Sequence, residues 1–440
     1  MGFLMAGCSR VKITPPLGTP LGGNVRDKGS QGIHDDIYVK ALVLSDGKKE
    51  IALVSCALIA VTKAMVEDIR QIAEKRCAIP KENILICAFH THSGPAIRAI
   101  FKEVNESYLA SLPEKIASSI CQAKENLKKV RIRFASGEEK ALPHNRRIKM
   151  KNGTLRMNWE DLPLDEIDKP VGPVDPEVGV IIIEELDGKK MAILINYTCH
   201  PAILAGDNFL ISEDYPGYTM RLLEKEMGAL CLFTNGATAN INHIDIFEPH
   251  QRRGFYEAER LGIILAEKVL SIIGKAEPIS VEELKIVREE VELPLRKISR
   301  SEIEKARKLV QGREIEKISL IDGLSEEVYA EQILILSKVS EKNLSSEIQV
   351  VSLGDIALIS IPGELFVEYG LEIKKKSPFP HTFIIGYAND YVGYIPTLEA
   401  FKEGGYEVRT GAASKLDPKT GDMITGKALE ILHKLKEKKE

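Results

Sequence analysis

The sequence ILICAFHTHSGP, residues 84–95, joins an apolar run to a cluster of polar residues. A short apolar run bounded by a turn-forming Gly-Pro pair is typical of a buried β-strand. His90 and His92 are two residues apart, so their side chains face the same way on extended backbone. The stretch therefore predicts a strand whose carboxyl end presents two imidazole groups.

Four further apolar runs end in the same way, each followed by His, Glu, Tyr or Asn residues. The polar clusters that follow these runs are NYTCHP (196–201), TNGATANINH (234–243), PGE (362–364) and GYANDYVGY (386–394). In open α/β sheets, ligands bind outside the carboxyl ends of the strands, where loops converge. Five such strand ends predict one shared site, although they do not name its reaction.

Amphipathic helices separate the apolar runs, and this alternation predicts an α/β fold. Early strands are expected at residues 9–13, 39–44 and 51–54. Helices are expected near residues 62–75, 106–125, 216–227 and 254–273. The segment 299–343 is dense in Lys, Glu and Arg and helical in period, which predicts a charged helical insertion. A terminal helix with a solvated face is expected over residues 426–440.

The composition is that of a globular protein, with 44% apolar and 28% charged residues, and it argues against disorder. The net charge of −4 gives no general attraction to nucleic acid. No apolar run is long enough to span a bilayer. We therefore expect a soluble protein with a small-molecule substrate, no nucleic-acid partner and no integral membrane segment. The composition does not distinguish a monomer from a homo-oligomer.

The seven cysteines form no C-x-x-C pair, and several lie inside apolar runs, which predicts reduced core thiols and a cytoplasmic protein. Residues 4–8, LMAGC, resemble a lipoprotein cleavage site. However, only seven residues precede Cys8, and none of them is basic. A secretion signal requires a basic start and a longer apolar stretch, so we expect a first strand there instead.

Taken singly, the polar residues at the strand ends also have ordinary structural explanations. His200 precedes Pro201, which favours extended backbone at the end of a strand. Glu364 follows Pro-Gly, where a carboxylate in a first helical turn is stabilised by the helix dipole. Tyr391 and Tyr394 are equally typical of half-buried aromatic residues. Their shared position at strand ends is the feature that favours a functional site.

From HTHSGP at residues 90–95, the sequence resembles the catalytic domain of the neutral (non-lysosomal) ceramidases. Further elements follow in that family's order over nearly the whole chain. They are VKITPP (11–16), NR (145–146), SEDYPG (212–217), PGE (362–364), the stretch 389–397 and YE (406–407). The resemblance implies mixed β-sheets flanked by helices, in a single large hydrolase domain over residues 1–440.

The resemblance also implies a zinc site. Four residues would hold the ion: His90, His200, Glu364 and Tyr394. Three would line the reaction centre: His92, Arg146 and Tyr406. The residue types suit the chemistry, because zinc takes imidazole and carboxylate ligands and lowers the pKa of a bound water to about 7. A tyrosine ligand is less usual, but a nearby cation favours the phenolate.

The sequence departs from the family at two points. Asn242 stands where the family has the serine of a Gly-Asp-x-Ser-Pro-Asn element, and residues 96–97 are Ala-Ile instead of Gly-Gly. We also expect the chain to lack the family's C-terminal immunoglobulin-like module. The leading hypothesis is therefore a zinc-dependent hydrolase of an amide bond whose substrate is not ceramide. The alternatives are a zinc-dependent esterase of a small metabolite and a non-catalytic metal- or ligand-binding homologue.

Overall fold

The computed structural model describes residues 4–98, 104–248, 253–311 and 326–437. The described strands are β1 (Met5–Lys12), β2 (Gly32–Ile33), β3 (Tyr38–Ser45), β4 (Glu50–Cys56), β5 (Ile84–Ala88), β6 (Lys128–Glu138), β7 (His144–Asn145), β8 (Arg147–Met150), β9 (Leu155–Met157), β10 (Ile167–Pro170), β11 (Glu177–Glu185), β12 (Lys190–Tyr197), β13 (Leu210–Ile211), β14 (Leu230–Asn235), β15 (Ile241–Asn242), β16 (Glu277–Ile279), β17 (Leu284–Pro294), β18 (Asn343–Leu353), β19 (Ile356–Ser360), β20 (Glu364–Leu365), β21 (His381–Ile385) and β22 (Tyr394–Ile395).

The described helices are α1 (Lys63–Cys77), α2 (Glu106–Glu125), α3 (Asp214–Met227), α4 (Phe255–Ile273), α5 (Arg300–Val310), α6 (Glu326–Leu336), α7 (Val367–Lys376), α8 (Leu398–Glu403) and α9 (Thr420–Glu437). Short 3₁₀ turns lie at Lys81–Asn83, Leu164–Glu166 and Tyr406–Val408. None of the helices in the described ranges combines the length and apolarity that a bilayer span requires.

Two mixed sheets form the centre of the molecule. The larger one has the strand order β14-β12-β11-β6-β1-β3-β4-β5, with β16 paired to β6. Its β4–β5 and β12–β14 pairs are parallel, and the other pairs are antiparallel. The smaller sheet has the order β17-β18-β19-β21, and its β19–β21 pair is parallel. The prediction of an α/β fold with mixed sheets flanked by helices is confirmed.

The sheets and helices stack in four layers, which follow from the alternation of side chains along each strand. In β3, Val39, Ala41 and Val43 face a core that also contains apolar residues of α1–α4, whereas Leu42 and Leu44 face the smaller sheet. The other face of the smaller sheet packs against apolar residues of α7 and α9. Both sheets are therefore apolar on both faces, as a four-layer helix–sheet–sheet–helix arrangement requires.

The positions of the early elements agree with the sequence pattern to within a few residues. Helix α2 has its predicted bounds, and α1 begins at Lys63 because the side chain of Thr62 accepts a hydrogen bond from the amide of Met65 as an N-cap. The first strand runs four residues earlier than predicted, from Met5. Helix α9 begins at Thr420, six residues before its predicted start, and its predicted last residues, 438–440, lie outside the described residues.

The charged segment 299–343 contains α5 and α6, both helical as expected. It connects two neighbouring strands, since Pro294 of β17 pairs with Asn343 of β18. Residues 312–325, which include Gly312 and Gly323, lie outside the described residues. The interpretation of this segment as an insertion into a single domain over residues 1–440 stays a prediction.

Close packing between the two sheets depends on Gly179 of β11. A methyl group at this position would overlap the ring of Phe383 on β21, which lies in the core between the sheets. Gly179→Ala is therefore expected to lower the free energy of unfolding by about 1–3 kcal/mol, measured by denaturant titration.

The matched control is Gly426→Ala, because Gly426 lies inside α9 and an added methyl group there would meet no atom. This variant is expected to raise the free energy of unfolding by about 0.5–1 kcal/mol, since alanine favours helix. Equal effects of the two substitutions would contradict the packing described for Gly179.

Candidate metal centre

Backbone hydrogen bonds bring the five strand ends together. Asn235, after β14, accepts from the amide of Gly386, after β21. Tyr387 accepts from the amide of Ala88, at the end of β5, and so joins the smaller sheet to the larger one. The amide of Gly236 donates to Tyr197 at the end of β12. The parallel pairs β4–β5, β12–β14 and β19–β21 therefore end at one place, as the sequence pattern predicted.

His90 is fixed in both backbone and side chain. Its φ of 68° lies in the left-handed region, which a non-glycine residue adopts only where its surroundings hold it there. Its Nδ1 lies 2.5 Å from the carbonyl oxygen of Ile59, so Nδ1 carries the proton and donates. The ring also stacks on Tyr387, with centroids 3.9 Å apart. Nε2 is left as an acceptor that faces the other site residues.

His92 and His200 face each other through their Nε2 atoms, which lie 2.9 Å apart. The Nδ1 atom of His92 lies 3.0 Å from Oδ1 of Asn24, and that of His200 lies 3.4 Å from the carbonyl oxygen of Thr238. Both Nδ1 atoms therefore donate, and both Nε2 atoms carry lone pairs. Two lone pairs at this distance repel each other unless a proton or a metal cation lies between or beside them.

Burial keeps the three imidazoles neutral. It lowers the pKa of His90 to about 3, and it holds the pKa values of His92 and His200 well below the ordinary value. The positive charge of Arg146 lowers all three further. Neutral imidazole is the form that binds metal ions.

Glu364 has a buried oxygen that no described residue pairs with. Its Oε1 accepts a hydrogen bond of 2.5 Å from the hydroxyl of Tyr391, whereas its Oε2 has no hydrogen-bond partner among the described residues and lies 3.8 Å from Nε2 of His90. Burial raises the pKa of this carboxyl to about 7, and the hydrogen bond from Tyr391 opposes the rise. An unpaired buried carboxylate oxygen beside a neutral imidazole is the arrangement expected where both bind one cation.

Arg146 joins the remaining residues of the site. Its Nη2 donates to the hydroxyl oxygen of Tyr394 over 3.2 Å, and its Nε donates to Glu407 over 2.8 Å. The other oxygen of Glu407 accepts from Arg147 over 2.8 Å, so this buried carboxylate holds both arginines. The rings of Tyr394 and Tyr406 meet edge to face, with centroids 5.8 Å apart. The guanidinium of Arg146 thus lies among both tyrosines, with its position set by Glu407.

All seven residues predicted for the site line one cavity of about 260 Å³. Three of them, His90, His92 and His200, have ring nitrogens that all lie within 4.8 Å of one another and could hold a metal ion. The geometry therefore offers His92 as an alternative ligand, although the sequence assigned it to the reaction centre. The facing lone pairs and the unpaired oxygen of Glu364 both fit a divalent cation, and the donor types are those that zinc prefers.

Sequence reasoning missed three residues that hold the site together. Tyr387 stacks on His90 and shares a hydrogen bond of 2.8 Å with Thr238, the residue whose carbonyl faces His200. Tyr391 binds Glu364, and Glu407 binds Arg146. Tyr387 and Tyr391 belong to the polar cluster 386–394, and Glu407 follows Tyr406, so the sequence pattern indicated these positions. It did not indicate which residues they contact.

Asn242, which replaces the family serine, is part of a buried amide pair. Its Oδ1 accepts from Nδ2 of Asn158 over 2.8 Å, and its Nδ2 donates to Oδ1 of Asn158 over 2.9 Å. The same Oδ1 accepts from the amide of Ile244 over 3.0 Å. Asn242 lines the cavity, but its polar atoms are engaged in holding the two loops together.

The loop 212–215 supports both histidine-bearing loops. The backbone carbonyl of Ser212 accepts from the hydroxyl of Thr91, and its amide donates to the carbonyl of Ser93. Asp214, with a φ of 56°, accepts from the amide of Leu204, and Tyr215 donates to the carbonyl of Cys199. The histidines at 90, 92 and 200 are therefore positioned by a common buried loop.

Residues 5–239 match the family described as neutral/alkaline non-lysosomal ceramidase, N-terminal. This match covers more than half of the chain. The chain belongs to the neutral/alkaline non-lysosomal ceramidase family. As a ceramidase-family protein it is related to hydrolases, and its buried histidine triad could hold a metal ion.

The similarity to known proteins extends beyond residues 5–239. The neutral ceramidase of Pseudomonas aeruginosa is 21% identical over 452 residues, which cover 88% of this chain and 65% of that protein. This ceramidase-family chain thus spans somewhat less than two thirds of the length of that relative.

A solved structure of a ceramidase complexed with C2 has a TM-score of 0.76 at 19% identity and covers 99% of this chain and 76% of its own. The crystal structure of the P. aeruginosa neutral ceramidase has a TM-score of 0.73, also at 19% identity, and covers 99% and 75%. At this identity the structures show a shared fold.

Two isosteric substitutions distinguish the possible ligand sets. If Glu364 is a metal ligand and His92 is not, Glu364→Gln weakens metal affinity by at least about 100-fold, whereas His92→Gln retains metal near the wild-type amount. Elemental analysis after dialysis against graded zinc concentrations measures both. Loss of metal in His92→Gln with retention in Glu364→Gln would instead assign the ion to the histidine triad.

A second prediction concerns Glu213 in the supporting loop. Burial raises the pKa of Glu213 to about 7, above the ordinary 4.5. Between these pH values the folded protein holds a proton that the unfolded chain has lost, so this group lowers the free energy of unfolding as the pH rises. Glu213→Gln removes the titration but keeps an oxygen that can accept from the amide of Tyr38.

Relative to wild type, the free energy of unfolding of Glu213→Gln is therefore expected to be higher at pH 8 than at pH 4.5. Paired urea titrations of the two proteins at each pH give this difference. A difference that is independent of pH would show that Glu213 is ionised in the folded protein.

Proposed function

We propose that this protein is a zinc-dependent hydrolase that cleaves an amide bond of a small molecule other than ceramide. The observation that supports this most strongly is the group of three neutral imidazoles and one carboxylate oxygen, unpaired among the described residues, at the wall of a single cavity. Family membership supports hydrolysis, since the relatives are ceramidases.

The ligands that we propose are His90, His200, Glu364 and Tyr394. Zinc bound there supplies a Lewis acid and a water with a pKa of about 7. Burial raises the pKa of Tyr394 well above its ordinary value, whereas Arg146, which donates to its hydroxyl oxygen, opposes the rise, as a bound cation would. Ile59 and Thr238 fix the ring orientations of His90 and His200 through their backbone carbonyls, as is usual for histidine ligands.

Arg146 and Tyr406 are placed to stabilise negative charge on the carbonyl oxygen during hydrolysis. Arg146 is held by Glu407, so its orientation does not depend on the substrate. Its remaining donors lie on the cavity wall beside Tyr406 and Trp159. A preorganised donor of this kind contributes about 3–4 kcal/mol to transition-state stabilisation.

We assign to His92 the transfer of a proton from the attacking water to the leaving nitrogen. Asn24 holds its Nδ1, and its Nε2, which carries a lone pair, lies on the cavity beside Nε2 of His200, so Nε2 can take this proton and pass it on. Hydrolysis of an amide requires a proton on the leaving nitrogen, whereas the alcohol part of an ester leaves more readily, as an alkoxide. A histidine kept for this purpose favours the amide over the esterase alternative, and it also argues against a non-catalytic binding protein.

The cavity argues for a small substrate. Its volume of about 260 Å³ lies below the usual range for ligand pockets, which begins at about 300 Å³. The wall carries several charged side chains. Asn242, in place of the family serine, is bound to Asn158 and changes this wall. We also propose that the protein is cytoplasmic, since its seven cysteines are free and five of them are buried.

The test is a panel of small N-acyl amines and their matched esters, assayed with zinc-loaded protein and again after treatment with a chelator. Amide hydrolysis is expected, with loss of activity on chelation and recovery when zinc is added back. Preference for esters would favour the esterase, and hydrolysis that a chelator leaves unchanged would contradict the proposal.

His92→Gln is the companion variant in that assay. It is expected to lower kcat on amides by about 100-fold to 10,000-fold, the range for loss of a proton-transfer group. The effect should be smaller on esters with good leaving groups, which need no proton. Equal losses on both substrate types would contradict the role given to His92.

A further inference from the structure

The cavity wall carries an excess of positive charge that the proposed reaction does not use. Among the described residues, its lining includes six Lys or Arg residues and one carboxylate, Glu364. Three of the six already have partners: Arg146 binds Glu407, Arg26 donates to four backbone carbonyls, and Arg409 binds Glu326. The other three are Lys28, Arg98 and Arg253, of which Arg98 lies against Tyr391, the partner of Glu364.

Arg98 is close to the metal centre, and none of the described residues accepts a hydrogen bond from its guanidinium. Its guanidinium lies 5.5 Å from the ring centroid of Tyr391, whose hydroxyl binds Glu364. Its nearest carboxylate, Asp390, lies 3.9 Å away, too far for a hydrogen bond. Asp390 is also engaged elsewhere, because its oxygens accept from Ser346 and from two backbone amides. One tyrosine ring therefore separates Arg98 from the proposed zinc ligand.

Gln332, on helix α6, supplies an unpaired donor on the same cavity. It is 6% exposed, and its Oε1 accepts from the amide of Ala412 over 2.8 Å. Its Nε2 is buried and has no hydrogen-bond partner among the described residues. A buried N–H group without an acceptor costs about 1–3 kcal/mol, so an acceptor supplied by a ligand is the natural partner.

The loop 411–415 connects these two groups. Ala412 binds Gln332, Ala413 accepts from the amide of Tyr394, and Ser414 lines the cavity. Lys415 is half-buried near Arg98. Burial lowers the pKa of its ammonium to about 8, and the charge of Arg98 lowers it further. Among the described residues, Asp390 is the carboxylate that Arg98 and Lys415 share, so this side of the cavity carries excess positive charge.

We propose that the cavity recognises a substrate whose amide carries a carboxylate, and that Arg98 and Gln332 bind this carboxylate while the amide lies at the metal centre. The amide part rests on the proposed function, whereas the recognition of the anion does not. Arg98 follows Ala96-Ile97, where the sequence departs from the family, and Gln332 lies in the charged segment 299–343. Arg98 therefore lies beside a point at which the sequence departs from the family.

The test uses two ligands that contain no hydrolysable bond, so it is independent of turnover. 4-Oxononanoate is a ketone isostere of N-hexanoylglycine, and decane-2,5-dione, in which a methyl group replaces one carboxylate oxygen, is its neutral counterpart. Calorimetric titration of the zinc-loaded protein gives both affinities. Trp159 is the only tryptophan and lines the cavity, so its fluorescence reports whether binding occurs there. The carboxylate is expected to bind at least about tenfold more tightly than the diketone.

Two variants test whether Arg98 and Gln332 bind the carboxylate, and a third variant is the control. Arg98→Gln removes the charge, and Gln332→Glu keeps the acceptor for Ala412 while placing a negative charge on the wall. Each is expected to weaken binding of the carboxylate about tenfold and to leave binding of the diketone within about twofold. Arg10→Gln, at an exposed arginine on β1 that is not part of the cavity lining, should change neither. Equal affinities of wild type for the two ligands, no binding of either, or an unchanged ratio in both variants would overturn the proposal.

Discussion

The site depends on a contact that is unfavourable without a cation. The Nε2 atoms of His92 and His200 lie 2.9 Å apart, and both carry lone pairs because each Nδ1 donates to a fixed oxygen. Nearby, Oε2 of Glu364 is buried and has no hydrogen-bond partner in the described part of the chain. Burial disfavours protonation of the imidazoles, so a proton does not readily relieve the repulsion. A divalent metal ion satisfies all of these groups at once.

The fold holds the site residues in place although the contact between His92 and His200 is unfavourable. Three parallel strand pairs end at one position, and hydrogen bonds between the ends of β5, β14 and β21 join the two sheets there. His90 and Asp214 adopt left-handed backbone conformations that only a rigid framework maintains. The buried loop 212–215 then links the loops of His90 and His200. The strain is thus concentrated at the site, where strained residues commonly serve function.

Local patterns were enough to predict the class of fold and most early elements. Helix α2, for example, follows from its apolar spacing, and the strand ends follow from apolar runs that stop at polar clusters. The order of strands, the four layers and the contact of Gly179 with Phe383 depend on packing between distant segments, which no local pattern encodes.

The same limit applies to the candidate site. Five converging strand ends could be predicted from the sequence, and the family resemblance supplied roles for seven residues. The partners of those residues could not be predicted, since Glu407 binds Arg146 across 261 positions and Tyr387 meets His90 only in the folded chain. Whether His92 is a ligand or a proton donor depends on distances of a few ångströms, which sequence does not specify.

Anomalous diffraction at the zinc absorption edge, from crystals grown with zinc, tests the central claim most directly. One strong peak is expected in the cavity, within about 2.0–2.2 Å of Nε2 of His90, Nε2 of His200 and an oxygen of Glu364. Absence of a peak there, or a peak bound to other residues while these side chains keep the positions described, would contradict the account.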